Sequence, residues 1–224
     1  MNKDEEITKD EIRKEFQLDR MVLFSDAVFA IVITLMAIEI RLPHFDGELT
    51  HEILVSQIMH LIPVILAYAG SFLFIGNSWY HHLQTFSLLK DYDRGLVVRN
   101  LIMLFFIGFF PFSASLVADA KGLYLPIAIY FAVVLACSLC QMRLQYYILV
   151  KHPELRIQTD ISDQLLRFKT SRIVTILLAT IFVLATTTYY LVEDPRFRFV
   201  AWWWFIPFPL VLKYFKKKLL KPAK

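Results

Sequence analysis

The sequence predicts an all-α integral membrane protein with six transmembrane helices, on the strength of three observations. First, 57% of its 224 residues are hydrophobic, whereas a soluble domain has roughly 45–50%. Second, the apolar residues fall in blocks of about 18–25, close to the number that a helix needs to cross hydrocarbon. Third, Lys and Arg concentrate in alternate connections between these blocks, as expected of a chain that crosses a membrane repeatedly.

The chain divides into three parts. Residues 1–19, MNKDEEITKDEIRKEFQLD, form an N-terminal arm of mixed charge that lacks the apolar centre of a signal peptide. We therefore expect the first span to remain in the mature protein. A six-helix transmembrane domain follows over 20–218, and 219–224 form a basic tail.

The alternation of apolar and polar residues that marks a membrane β-barrel is absent, so every span is predicted to be helical. The first span contains neither Gly nor Pro. The second, third and fourth spans have Pro63, Pro111 and Pro126 within or near them, and we expect bends there, because neighbouring helices can satisfy the freed carbonyls. The six spans are about 20–42, 53–76, 97–117, 123–149, 171–192 and 200–218.

Two spans carry further features. The fourth contains Cys137 and Cys140, which we interpret as small packing residues, since no second Cys or His pair accompanies them. The sixth begins with the aromatic run Trp202–Trp204, typical of a membrane interface, and its apolar part is followed by the basic run KYFKKKLLK. A basic run directly after a span is the usual anchor to anionic lipid, so we expect a lipid bilayer and not nucleic acid as its partner.

The orientation follows from the distribution of positive charge. Of the 24 Lys and Arg residues, four lie on one side, and 20 lie on the other: in the arm together with Arg20, in 77–99, in 143–172 and from Lys213 to the end of the sequence. Positive residues favour the cytoplasm, so both termini are predicted to be cytoplasmic. This asymmetry also supports an even number of spans.

Ionisable groups at membrane depth are candidates for function, because burying them is costly. Asp26 stands out because it lies within the first span on a short side chain. On a helical wheel Ser25 and Asp26 lie about 120° and 140° from Ile31. The residues within about 60° of Ile31 form one stripe: Arg20, Phe24, Ala27, Ile31, Thr34, Leu35 and Ile38.

Asp26 cannot readily reach Arg20, which lies about 120° around the same helix, so its partner must come from another helix. The candidates at the same depth are Trp79, His81, His82, Arg99 and Asn100. Adjacent histidines on a helix diverge by about 100°, which argues against a metal site. The six glycines form no phosphate loop, and His51 lacks the second histidine of a zinc-protease motif, so no enzyme is expected.

The first helix begins with RMVLFSD (Arg20–Asp26) and continues with AIVITLMAIEI. RMVLFSD matches the RxxxFSD signature of the transmembrane protein 175 family of potassium channels, and AIVITLMAIEI resembles the continuation of the family's first helix. WYHHLQTF (Trp79–Phe86) looks like the segment of the family with a Trp and a His pair, and RNLIMLFFIGFFPFSASL resembles its third helix. The resemblance covers the first 120 residues well.

This resemblance implies a homotetramer of a single-repeat prokaryotic type in the plasma membrane, with four first helices around the pore. It implies passive K⁺ flux without a carbonyl-lined TVGYG filter, and no cofactor besides the permeant ion. Carried onto this chain, the pore constriction consists of Ile31, Leu35 and Ile38 as apolar rings and Thr34 as a hydroxyl ring. The structural polar network behind it comprises Arg20, Ser25, Asp26, Trp79, His81, His82 and Asn100.

A proton-linked secondary transporter is the alternative, in which Asp26 and either His81 or His82 would titrate. Such carriers have inverted repeats and helices broken by Gly or Pro at the midplane. The first span has no such break.

Overall fold

The computed structural model describes residues 3–38, 50–119, 124–194 and 206–219, together with 40, 196, 198, 203 and 204. The predicted all-α class is confirmed. A π-helical turn, Tyr147–Lys151, and a 3-10 turn, Pro153–Leu155, follow the fifth helix. The α-helices are α1 Lys3–Ile38, α2 His51–Phe86, α3 Arg94–Gly108, α4 Phe110–Asp119, α5 Tyr124–Tyr146, α6 Ser162–Leu191 and α7 Phe208–Leu219.

Four helical segments in the described part of the chain are long and apolar enough to cross a membrane: Ile12–Ile38, Arg94–Val117, Tyr124–Lys151 and Ser162–Leu191. They match the predicted first, third, fourth and fifth spans. The predicted second span, 53–76, lies within α2.

The predicted sixth span, 200–218, is described only in part. Residues 200–202 and 205 lie outside the described residues, as do 39 and 41–42 of the first span, 123 of the fourth and 220–224 of the tail. The 12 residues of α7 extend about 18 Å, less than the hydrocarbon thickness of roughly 30 Å. The count of six spans therefore stays a prediction.

Helix α1 extends far beyond the predicted first span. It is continuous over 36 residues from Lys3 to Ile38, a length of about 54 Å. From Lys3 onward, the predicted N-terminal arm is thus part of the same helix as the span. A rigid connection between the arm and the span follows from this continuity.

The helix that contains the third span breaks at Phe109, between α3 and α4. Pro111 is the second residue of α4, where its missing N–H costs nothing because the first turn of a helix has no internal acceptor. Pro126 lies in the first turn of α5, where its missing N–H likewise costs nothing. Pro63, in contrast, lies inside the continuous helix α2.

The main hydrophobic core forms where α1 meets α2, α3 and α4. Phe29 and Met36 of α1 are 1% and 2% exposed, and they belong to one buried cluster with Ile75, Ile107 and Phe110. Helix α5 packs against α3 and α4, α6 packs against α5, and α7 packs against α6. Burial of these apolar side chains positions α1 relative to the other helices.

Backbone hydrogen bonds join two connections that are predicted to be cytoplasmic: the one between α2 and α3, and the one between α5 and α6. The N–H groups of Lys90 and Asp91 donate to the Leu155 carbonyl at 2.9 and 3.2 Å, and the Ile157 N–H donates to the Leu88 carbonyl at 2.8 Å. Since backbone groups in both connections are satisfied this way, the α2–α3 connection is fastened to the segment that follows the π-helical turn.

Asp93 joins α3 to the π-helical turn. Its carboxylate accepts the Leu96 N–H at 2.7 Å, which caps α3, and it also accepts the Tyr147 hydroxyl. Partial burial acts to raise the pKa of Asp93, but these two hydrogen bonds hold that pKa below its ordinary value. The Arg99 guanidinium lies 4.0 Å from the centre of the Tyr147 ring and donates to the Gly95 carbonyl.

Gly95 lies against this group of side chains. A Cβ at position 95 would collide with the Tyr147 hydroxyl and crowd the Arg99 guanidinium, whereas a Cβ at Gly76 would meet no atom within 4 Å. Tyr147 cannot easily move aside, because it is 5% exposed and bonded to Asp93.

We predict that Gly95→Ala lowers stability by about 1–3 kcal/mol, the usual cost of forcing extra volume into a packed site. The measurement is the thermal midpoint of the detergent-solubilised protein. Gly76→Ala is the control and should cause no loss. Equal midpoints for the two variants would show that Tyr147 is not held in place.

Candidate functional site

Helix α1 has one face buried in the chain and an opposite face left uncovered. Val32 of the buried face is 4% exposed, whereas Ile31, Leu35 and Ile38 are 56%, 45% and 61% exposed. Thr34 is also exposed. Large apolar side chains are thus uncovered on a helix whose other face is fully packed, so this face needs lipid or another chain against it.

Thr34 is oriented by its own helix. Its hydroxyl lies 3.1 Å from the Ala30 carbonyl and 2.9 Å from the Ile31 carbonyl, and it donates its hydrogen to them. A hydroxyl that donates its hydrogen to a carbonyl of the preceding turn keeps its oxygen lone pairs available as acceptors. On the exposed face of α1, Thr34 therefore offers an oxygen ligand between apolar neighbours.

Behind this face, three buried polar side chains join α1, α2 and α3. The Asn100 amide donates to the Ser25 hydroxyl at 2.9 Å, and Ser25 donates to the Met21 carbonyl at 2.8 Å. The Nε2 atom of His82 lies 2.9 Å from the Asn100 oxygen. Ser25, Asn100 and His82 are 0%, 1% and 2% exposed, so they form a buried hydrogen-bonded chain.

The imidazole of His82 is enclosed by aromatic rings. Phe86 stacks on it at 3.9 Å between centroids, and Phe29 of α1 lies at 5.7 Å. Because Nε2 donates to Asn100, Nδ1 is the acceptor of the neutral ring, and it has no hydrogen-bond partner among the described residues.

Asp26 is paired by the neighbouring helix. The indole N–H of Trp79 in α2 donates to its carboxylate at 2.8 Å. Of the five partners considered for Asp26 from the sequence, Trp79 is the one that the structure brings into contact. Unlike the Ser25 chain, this pair is accessible, since Trp79 is 37% exposed.

The remaining residues of the predicted network lie elsewhere. His81 is half-buried, with its ring 6.2 Å from that of Tyr80. Arg20 is exposed, and its guanidinium lies 6.0 Å from the ring centre of Phe16 on the same helix. Arg99, another candidate partner of Asp26, contacts Tyr147 instead.

Sequence reasoning did not find the aromatic enclosure of His82 or the contact between Asp93 and Tyr147. Phe29 and Phe86 look like ordinary core residues, and Asp93 and Tyr147 are 54 positions apart. The Phe16–Arg20 spacing of four residues was a usable signal, because such side chains are neighbours on a helix.

No group of three or more His, Cys, Asp and Glu that would suit a metal ion occurs in the part of the chain that the structure describes. Cys137 and Cys140 are unbonded, and Cys137 is 2% exposed. The candidate site consists of α1, with its uncovered face and the polar chain behind it.

A family profile described as "Endosomal/lysosomal potassium channel TMEM175" matches residues 20–111. The chain is 33% identical over 137 residues to "Potassium channel B446_29190" of Streptomyces collinus, which covers 58% of this chain and 63% of that protein. It is 34% identical over 134 residues to "Potassium channel Cha6605_3372" of Chamaesiphon minutus, covering 54% and 66%. The match thus spans slightly under two thirds of these relatives.

The structural likeness extends over most of the chain. A lysosomal potassium-selective channel TMEM175 homologue from Chamaesiphon minutus superposes with a TM-score of 0.64 and 25% identity, over 92% of this chain and 99% of that one. A variant of the potassium channel MtTMEM175 shares the fold, with a TM-score of 0.62 and 19% identity over 88% and 91%.

These likenesses define the class: an α-helical integral membrane protein with the fold of an ion-channel family. The chain is similar to the TMEM175 family: residues 20–111, which contain the RMVLFSD motif of α1, match its profile, and the fold matches over most of the chain.

The buried chain generates a stability prediction. Asn100→Ala leaves the Ser25 hydroxyl without its donor and the His82 N–H without its acceptor, so we expect a loss of about 1–3 kcal/mol. Ser25→Ala should cost less, and the double variant should cost less than the sum, because both changes remove the same hydrogen bond. The measurement is thermal unfolding in detergent.

Asn77→Ala is the matched control, since Asn77 is an exposed residue of α2. It should stay within about 0.5 kcal/mol of the parent. Strict additivity of Ser25→Ala and Asn100→Ala would contradict an energetic link between the two side chains.

Proposed function

We propose that this protein is a potassium channel in which four copies of α1 surround the pore. The observation that carries the proposal is the uncovered apolar face of α1, with Ile31, Leu35 and Ile38 exposed and Thr34 between them. The opposite face is packed on the rest of the chain, so α1 is held in place while this face remains free to meet other copies.

Four Ile31 side chains around an axis form a hydrophobic neck, with Leu35 and Ile38 as further apolar rings. Narrow hydrophobic constrictions lose their water and stop conduction, so a small radial movement or rotation of α1 suffices to gate the pore. The polar chain of Ser25, Asn100 and His82 serves to hold α1 and does not touch ions.

Selectivity in such a pore arises from partial dehydration. An apolar ring has no ligands to replace the water around an ion, and K⁺ sheds its water more readily than Na⁺. The Thr34 oxygen, whose hydrogen is committed to the helix, supplies the nearest ligand. We infer a moderate preference for K⁺, with Thr34 contributing to it.

The relatives support this function and its setting. The two bacterial proteins above are named potassium channels. The family profile matches residues 20–111, which include the predicted span of α1. We propose six spans, a homotetramer, a prokaryotic plasma membrane and cytoplasmic termini. No cofactor is required, because the ion is the only species that the mechanism handles.

Proton conduction is a second candidate. Proteins of Gallus gallus and Homo sapiens that are 34% and 29% identical to this chain are named "Endosomal/lysosomal proton channel TMEM175". Here Asp26 or a histidine would carry protons, as it would in the proton-linked carrier predicted as the alternative. His82 is the better placed histidine because its Nδ1 is unpaired among the described residues.

Purified protein in liposomes with an outward K⁺ gradient tests the proposal. We expect passive K⁺ efflux far faster than carrier turnover, measured with a fluorescent K⁺ indicator and valinomycin as the full-release standard. Lumen acidification that appears only after valinomycin is added, with no K⁺ efflux before it, would instead establish the proton pathway. Flux that requires a counter-substrate would establish a carrier.

Substitutions on the exposed face of α1 test the pore assignment. Ile31→Ala and Ile31→Asn should raise conductance several-fold by widening and wetting the neck, and Thr34→Ala should lower the K⁺/Na⁺ permeability ratio. The measurement is single-channel conductance and reversal potential under bi-ionic conditions. Leu73→Ala, at an apolar residue of α2 that is 69% exposed, is the control. Unchanged values in all three α1 variants would remove α1 from the pore.

A further inference from the structure

Two large apolar side chains are uncovered on the part of α1 that precedes the predicted membrane span. Ile12 and Phe16 are 61% and 60% exposed. Phe16 lies one turn before Arg20 and Ile12 lies two turns before it, about 12 Å along the helix axis. The candidate span Ile12–Ile38 begins here, but four charged residues lie in the same two turns: Arg13, Lys14, Glu15 and Asp19. A stretch with this many charges does not lie among lipid tails.

The arm is packed on its own subunit by a different face. Lys14 forms an ion pair with Asp91 at 2.9 Å, and Leu18 is 7% exposed within the main core. Phe16 is two residues from each, which places it about 160° around the helix from both. These contacts therefore turn Phe16 directly away from the body of its own chain.

The same face continues into the membrane. Because 18 residues complete five turns of an α-helix, Phe16 lies directly below Thr34 and Ile12 directly below Ala30. Thr34 and Ala30 are both exposed. Helix α1 is unbroken from Lys3 to Ile38, so the outward direction of Thr34 is also the outward direction of Phe16.

We propose that Ile12 and Phe16 form a contact between the α1 arms of neighbouring copies, which extends the assembly beyond the membrane on the side of the N-terminus. This rests on the proposed function, in which the exposed face of α1 points towards other copies. The occupant is a second copy of this chain, since the surface is continuous with the face that must already meet that copy.

The neighbouring polar residue fits this contact. Arg20 lies over the Phe16 ring at 6.0 Å from its centre, and it is in register with Ile38, 18 residues later. The guanidinium thus covers one side of the ring and leaves the other side for an apolar partner. Arg20 thus makes a cation–π contact that covers one side of the proposed interface.

Cysteine cross-linking of the full-length chain in native membranes tests the contact. Phe16→Cys and Ile12→Cys are treated with a short bismaleimide, and dimers are quantified on denaturing gels. We expect several-fold more dimer than for Glu15→Cys, an exposed position about 100° from Phe16 on the side of its own subunit. The unsubstituted chain, which retains Cys137 and Cys140, provides the blank.

Leu35→Cys separates this inference from the proposed function. Dimers from Leu35→Cys but not from Phe16→Cys or Ile12→Cys would overturn the arm contact and leave the pore proposal standing. No dimers at any of the three positions would overturn both. Equal dimer from Glu15→Cys and Phe16→Cys would indicate random collision and also overturn the contact. Protection of Phe16→Cys from a water-soluble maleimide without dimer formation would assign lipid as the occupant and overturn it.

Discussion

The buried hydrogen-bonded chain of Ser25, Asn100 and His82 determines how α1 is oriented. Each of these polar groups would cost several kcal/mol in an apolar interior without a partner, so only one rotation of α1 against α2 and α3 is acceptable. That rotation buries Phe29 and Met36 and leaves Ile31 and Thr34 uncovered. The proposed pore surface is therefore a consequence of a polar contact on the opposite side of the helix.

The second constraint is the continuity of α1. Because the helix is unbroken from Lys3 to Ile38, a contact made by the arm also positions the span. Lys14 attaches the arm to Asp91, in a connection that is itself bonded to Leu155. Surface ion pairs are weak, about 0–1 kcal/mol, but the paired backbone of the two connections gives this one a rigid partner. Any movement of the membrane span of α1 is thereby coupled to the connection that contains Asp91.

Much of the site was predictable because it depends on local geometry. The 3.6-residue repeat of an α-helix places Ser25 on a different face from Ile31, Thr34, Leu35 and Ile38, independently of the other helices. The choice of partner was not predictable in this way. Trp79, His81 and His82 are adjacent in sequence, and only the packing angle between α1 and α2 decides that Trp79 meets Asp26 while His82 meets Asn100.

The sequence by itself determined the helical membrane class and the two faces of α1, since hydrophobicity and helical periodicity need no tertiary information. The tertiary structure alone decided which polar groups pair, that the arm continues α1, and that Arg99 contacts Tyr147 across helices. The physical reason is that a buried polar group can accept any of several partners of suitable chemistry. Distance and angle between packed helices select one of them.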